Sequence, residues 1–522
     1  MLRKFSSFVF LFWALFPFFE LSSTSSAEPI LISDYDLFPI PAISNRWTSK
    51  EMMNSTDFVA LLDDGSLFTW GLHNNQGVLI EPPLRNFITL FSSSFAFFWL
   101  SANDSLTRTN LTFFPFEDSV STLSQEQEVL SIASNEKSIA VLLSDQTLLC
   151  WGGLQAPLLP KDKKAISLFS SSNSFCALLE KEASPSAPSV QTLYSWGEVS
   201  TPPFSLGKEK VVSVIGNKEG FCALLDSGKL RLWKKEDTRV LEPLRSSIKK
   251  VSMKEGALCA TAESFITLFD DGVIHSWGDL QTPELPYTNS ASLIPWSSSQ
   301  QLRAVCLLSN QTGITATLED GSFLSAWVKT TSVTDARGVS HLKKTQITKH
   351  IPLPHNRNDQ PLTLKYLIAN DTAFTALFNN GSLLCWGDEE TGGDEETGGE
   401  TPHLGNNKVL EVVASGKSFT ALLDNGNIQS WGNLAHGGQS PSLPQNHQEK
   451  ELKVEQLVAN TSLTTALLSD QTLLMWGEGV EENPRRISIP GGRKIIAFLS
   501  PFQKLLLHGT LLQREYQKIV FP

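Results

Sequence analysis

The sequence predicts an all-β fold of about ten short antiparallel blade units, and three observations carry that prediction. One string recurs along the chain, tryptophans mark its end at near-regular intervals, and the residues inside it alternate with the period of a strand.

The string is clearest as FVALLDDGSLFTWG from Phe58, IAVLLSDQTLLCWGG from Ile139 and FCALLDSGKLRLW from Phe221. It returns as FTALFNNGSLLCWG from Phe374, SFTALLDNGNIQSWG from Ser418 and TTALLSDQTLLMWG from Thr464. A broken copy joins FCALLEKE at Phe175 to QTLYSWG at Gln191, and two looser ones end in GVIHSWG at Gly272 and GSFLSAW at Gly321. Nine of the 13 tryptophans close such a unit: Trp70, Trp151, Trp196, Trp233, Trp277, Trp327, Trp386, Trp431 and Trp476. From Trp151 the steps are 45, 37, 44, 50, 59, 45 and 45 residues. The 81-residue gap before Trp151 holds one degenerate unit around 94–110, and a worn copy at 504–512 would make eleven. These tryptophans are expected to be structural.

Inside a unit, Phe419, Ala421 and Leu423 alternate with Thr420 and Leu422, which is period 2. The glycines of Asp-Asp-Gly65, Asp-Ser-Gly228, Asn-Asn-Gly381 and Asp-Asn-Gly426 supply the positive φ of a tight hairpin turn. A further β-rich run such as 409–414 lies upstream, so each unit reads as three or four antiparallel strands. One such sheet cannot bury its apolar faces alone. Stacked sheets bent into a ring make a β-propeller, and a straight solenoid is the alternative. Gly416-Lys417-Ser418 resembles the end of a phosphate-binding loop, but Glu411 stands where its first glycine is needed and a strand follows. The string is a turn between strands.

The unit small–x–Gly–x–x–aromatic–x–Ala–Leu–x–x–x–Gly–x–apolar–x–x–Trp–Gly resembles the repeat of the regulator of chromosome condensation family, over roughly residues 45–515. The glycine-containing stretches after Trp386 and Trp431 are similar to that family's loop. Phe58, Phe175, Phe221, Phe374 and Phe419 stand where the family often has histidine, and the units are short. That form is closer to the secreted, bacterial-type branch, which includes a propeller inhibitor of β-lactamases. The resemblance implies a propeller, usually closed by seven blades. Ten or eleven units leave two readings open: one large ring, or seven blades with extra units beside them.

The 522 residues suffice for a large core, and a net charge of −12 disfavours DNA, RNA and anionic lipid as partners. A basic start (Arg3, Lys4), an apolar run over 8–19 and small residues before Glu28 read as a cleaved export signal over 1–27. The expected organisation is that signal, a lead-in over 28–45, repeats over 46–515 and a tail over 516–522, with no membrane span in the mature chain. The expected location is periplasmic or extracellular.

Cys176, Cys222 and Cys259 read as one small-residue register, Cys150 and Cys385 as another, with Cys306 alone. All six are expected as small buried residues, not disulfides. Asn110, Asn370 and Asn460 would be glycan acceptors in a eukaryotic secretory pathway. No HExxH, CxxC or GxSxG occurs, so no catalytic residue, metal or cofactor is expected and the chain reads as a non-enzyme. A pair of acids needs no motif, so a carbohydrate-active propeller stays as one alternative.

Two departures from the repeat point to function. Residues 328–362 form a basic insertion on an acidic protein, and Lys329, Arg337, His341, Lys343, Lys344, Lys349 and His350 are its candidate binding residues. A solvated loop is the plain reading of the same residues. The other is an acidic tandem over 388–399, Asp-Glu-Glu-Thr-Gly-Gly twice, read as a tolerated loop. The function expected is a protein–protein interaction module binding its partner through the loop face. A guanine nucleotide exchange factor acting on a small GTPase is a further alternative implied by the resemblance.

Overall fold

The computed structural model describes residues 57–498 except 65, 73–76, 81–86, 93–96, 103–108, 115–120, 123–128, 136–137, 182–188, 203–204, 235–237, 242–257, 270–271, 282–301, 335–339, 389–397, 447, 449 and 481–483. The export signal, the lead-in, the worn copy at 504–512, the tail, Arg337 and most of the acidic tandem lie outside these residues. Among the described residues 35 strands form ten sheets, every pairing antiparallel, with three or four strands each. The degenerate unit is a sheet of its own, built on Phe97–Ala102 and Thr109–Phe114.

The ninth sheet shows why the repeat folds as it does. Its strands are Val409–Ala414, Ser418–Leu423 and Ile428–Gly432. Asp424, Asn425 and Gly426 turn the second strand into the third; Gly426 has φ 80° and the Asn425 side chain accepts the Asn427 N–H at 2.9 Å. Phe419 then lies directly across from Trp431, their rings stacked 5.4 Å apart. The same cross-strand pair recurs as Phe58–Trp70, Phe175–Trp196, Phe221–Trp233 and Phe374–Trp386. The glycine after tryptophan is equally determined. Gly197, Gly278, Gly387, Gly432 and Gly477 have φ of 104–132°, and a Cβ there would fall 2.2–2.6 Å from backbone atoms of the neighbouring strand.

Contacts between sheets repeat as faithfully as contacts within them. The Trp386 indole N–H donates to Thr315 of the preceding sheet at 3.1 Å, and Trp233 donates to Ser195 at 3.3 Å. At the turn joining first and second strands, backbone N–H groups donate from sheet to sheet: Lys218 to Ala262, Ala262 to Gln311, Gln311 to Asp371, Asp371 to Gly416 and Gly416 to Thr461. Gly416 is therefore one link in a girdle of amides and not a phosphate cradle.

The last sheet meets the first by the same contacts. Trp70 donates to Thr465 at 3.2 Å, and Asn460 reaches the Asp57 carbonyl just as Asn217 reaches that of Ser264. The strand Ile495–Phe498 completes the first sheet by pairing with Asp57–Leu62. Apolar clusters join the third sheet to the fourth and so on to the tenth, then the tenth to the first. End-to-end joining makes this a β-propeller and not a straight solenoid. Nine sheets packed in unbroken succession also leave no place for a seven-sheet closure.

Three expectations need correction. Trp327 is not equivalent to the other tryptophans, because Ala326 pairs with Ile314 and Trp327 with Gly313. One residue of offset turns its side chain to the opposite face. Ala326 takes the vacated place against Ile266, which replaces the polar acceptor, so the two changes match across one interface. Cys259 does not share the register of Cys176 and Cys222: it lies on a first strand, opposite Ile266. All six cysteines are free, but Cys150 and Cys306 are only half-buried. Finally, Asn370 and Asn460 are buried, their side-chain oxygens accepting backbone N–H groups of their own turns. The folded chain does not present them to a glycosylating enzyme.

Glu411, half-buried on its first strand beside Tyr366 and Lys365, gives a pH-dependent test. Burial pushes its carboxyl above the ordinary range, and the Lys365 charge opposes this in part. The folded chain then binds more protons than the unfolded one inside that window. Stability falls as pH rises through it and stays lower above it. Glu411→Gln is expected to raise the melting temperature near neutral pH, with the gain shrinking toward about pH 4. An equal gain at both pH values would show that burial of the charge is not the cause.

Candidate functional site

The basic insertion is not a loop. Strands Phe323–Thr334 and Ser340–Ile351, each 12 residues, pair over their whole length from Phe323 opposite Ile351 to Thr334 opposite Ser340. The half nearest Phe323 completes the seventh sheet, with Phe323 and Trp327 buried. The other half runs on as a two-stranded arm on which residues 340–345 are all exposed. Leu342 is 76% exposed and Val333 47%.

Strand alternation divides the candidate residues between two faces. Lys344 and His350 share one face with Gln346, and this face meets the sixth sheet. Lys344 hydrogen-bonds Glu263 at 2.6 Å and Asp279 at 2.5 Å, while Gln346 exchanges hydrogen bonds with the backbone of Gln281. The bonds to Asp279 and Glu263 push the Lys344 ammonium upward, and the bond from Lys344 lowers Asp279. His350 bonds Ser322 at 3.0 Å. The opposite face carries His341, Lys343, Lys349 and, across the pair, Lys329, and it turns toward the eighth sheet. Lys329 pairs with Asp388 at 3.5 Å, and Lys349 lies 5.6 Å from the centre of the Trp327 ring. His341 and Lys343 are exposed. The candidates thus form no single pocket. They brace an arm between two neighbouring sheets, and the Lys329–Asp388 pair brings the basic insertion to the start of the acidic tandem.

Sequence reading missed Glu263, Asp279 and Gln281, which hold the arm. It also missed the device that protects the outer edges of three-stranded sheets. Thr201, Thr401 and Ser440 each accept the backbone N–H of the residue before tryptophan (Ser195, Cys385 and Ser430) at 2.7–3.2 Å. Each is followed by proline, so a Ser/Thr-Pro dipeptide after Trp-Gly was the available signal. The third sheet has Ala156-Pro157 at the spacing of Thr201-Pro202, with no hydroxyl for Cys150. Ala156→Thr is expected to stabilise the fold by about 0.5–1.5 kcal/mol. A denaturation midpoint unchanged or lowered would refute the cap.

Among the described residues no group of three His, Cys, Asp or Glu side chains could hold a metal ion, and no helix is long and apolar enough to cross a membrane. No family model and no curated protein matches the sequence. Solved structures similar to the chain include the CRINKLY WD40 ectodomain of the Arabidopsis thaliana receptor kinase ACR4, at 16% identity over 69% of this chain and 98% of that one, with a TM-score of 0.27. Yeast RCC1 (Prp20), in complex with Kap60, is similar at 15% identity over 65% and 78%, TM-score 0.28. Human WBSCR16 is similar at 11% identity over 72% and 85%, TM-score 0.28. At these scores the propeller rests on the chain's own repeated contacts, from Trp386–Thr315 round to Trp70–Thr465.

Proposed function

We propose that this chain is an exported propeller that binds a protein partner, with the paired arm strands over 329–334 and 340–345 as the contact. The observation that carries the reading is the arm itself, the one described hairpin extending well beyond the body of its sheet. The features of residues 1–27 support export, and the absence of any catalytic motif favours binding over turnover. A variant in which Val328 joins Gln346 through an Asn-Gly turn keeps the sheet-forming half and removes the arm. Cross-linking capture from extracellular and envelope extracts is expected to recover a partner with the intact chain and lose it with this variant. Equal capture would move the contact to the other loops. Recovery of a nucleotide-free small GTPase would instead favour an exchange factor.

A further inference from the structure

We propose that the outer edge of Ser340–Ile351 accepts an acidic, extended segment of the partner as a fifth strand of the seventh sheet, an inference that rests on the binding reading above. The edge is unlike every other described one. The outermost strands of the other four-stranded sheets are short: Val78–Ile80, Ser121–Thr122, Thr238–Leu241 and Arg485–Ile487 have two to four residues. Three of the three-stranded sheets have a hydroxyl cap over the outer amide next to their tryptophan. Ser340–Ile351 has 12 residues and, among the described residues, is the outermost strand of its sheet. Half of its N–H and C=O groups point away from its one partner strand, which is a ready template for main-chain pairing.

Charge selects the occupant. A second copy of the chain would bring its own Lys343 and Lys349 to the same face of the sheet, and like charges on paired strands repel. An incoming strand with carboxylates at alternate positions would instead lie beside His341 and Lys343. Among the described residues Lys343 has no ion pair, unlike Lys329 and Lys344. Exposed Leu342 would take an apolar side chain on the other face. A single-stranded nucleic acid is also an anion, but it has no peptide N–H and C=O groups with which to extend the sheet.

The test uses the mature full-length chain and a fluorescein-labelled peptide of about eight residues alternating Glu and Val. Fluorescence anisotropy is expected to show saturable binding, with exchange of the 340–351 amides slowed on addition. A peptide with Lys for Glu, or with a central Pro, should bind at least about tenfold more weakly, as should Lys343→Glu with the first peptide. Lys343 is exposed, so an unchanged melting temperature will confirm that this variant folds. Equal binding of the Pro peptide, no binding at all, or stronger binding of an oligothymidylate would overturn strand addition. If the peptide fails while capture still depends on the arm, only this inference falls; if capture ignores the arm, the parent reading falls as well.

Discussion

Replacing Trp386 with alanine is expected to destabilise the chain by about 3–5 kcal/mol. The ring is buried, stacks 4.9 Å from Phe323 of the preceding sheet and 6.2 Å from Phe374 of its own, and donates to Thr315. Its loss removes apolar burial, two aromatic pairs and one hydrogen bond at a junction between sheets. Thr315 keeps Ser325 at 2.9 Å, so the hydroxyl is not left without a partner. Trp277 is the control. It ends the sixth unit in the same register but is only half-buried. Trp277→Ala should therefore shift the denaturation midpoint distinctly less. Equal shifts would mean that the tryptophans act through their own sheets and not through the junctions.

How much of this was legible depends on where each residue's partners lie. Trp-Gly, the Asp/Asn-Gly turns and the small residue beside each aromatic were readable because their partners sit within one unit, at fixed spacing. The offset of Trp327 was readable too, since it lies six residues after Gly321 where Trp386 lies five after Gly381. The arm was not. Its residues over 329–334 and 340–345 are rich in Thr, Ser and Lys, and beyond the core neither face is buried against apolar side chains, so the apolar alternation that signals a strand disappears. The acids that hold it are 65 and 81 residues away from Lys344, a pairing created only by packing one sheet beside the next. The basic charge was visible, but its compensation was not.

Ending the chain at Lys494 is expected to be more damaging than any single substitution, because it removes the strand by which the last residues complete the first sheet. Ala60, Leu61 and Leu62 lose their backbone partners in Ile495–Phe498, and Trp70 loses Phe498, whose ring meets it edge-on at 5.8 Å. The first sheet would then rest on the tenth through Trp70–Thr465, Asn460–Asp57 and what remains of their shared apolar cluster without Phe498. Phe498→Ala by itself should cost about 3–5 kcal/mol, and the truncation more. A chain ending at Leu499 is the control, since it keeps the strand and lacks only the residues C-terminal to it. The latch beside the strand supplies a second readout. Although burial opposes it, hydrogen bonds from Ser66 and Arg493 bring the Asp64 carboxyl down to about 2. Its stabilisation is therefore present above the ordinary carboxylate range and lost as pH falls toward about 2. Arg493→Ala should flatten that acid limb and remove the same share of stability at neutral pH, a small one because the ion pair is largely exposed. If the chain ending at Lys494 melts with the one ending at Leu499, the closing strand is not what joins the two ends. The apolar packing of the first sheet on the tenth, Trp70 included, would then do so without the strand.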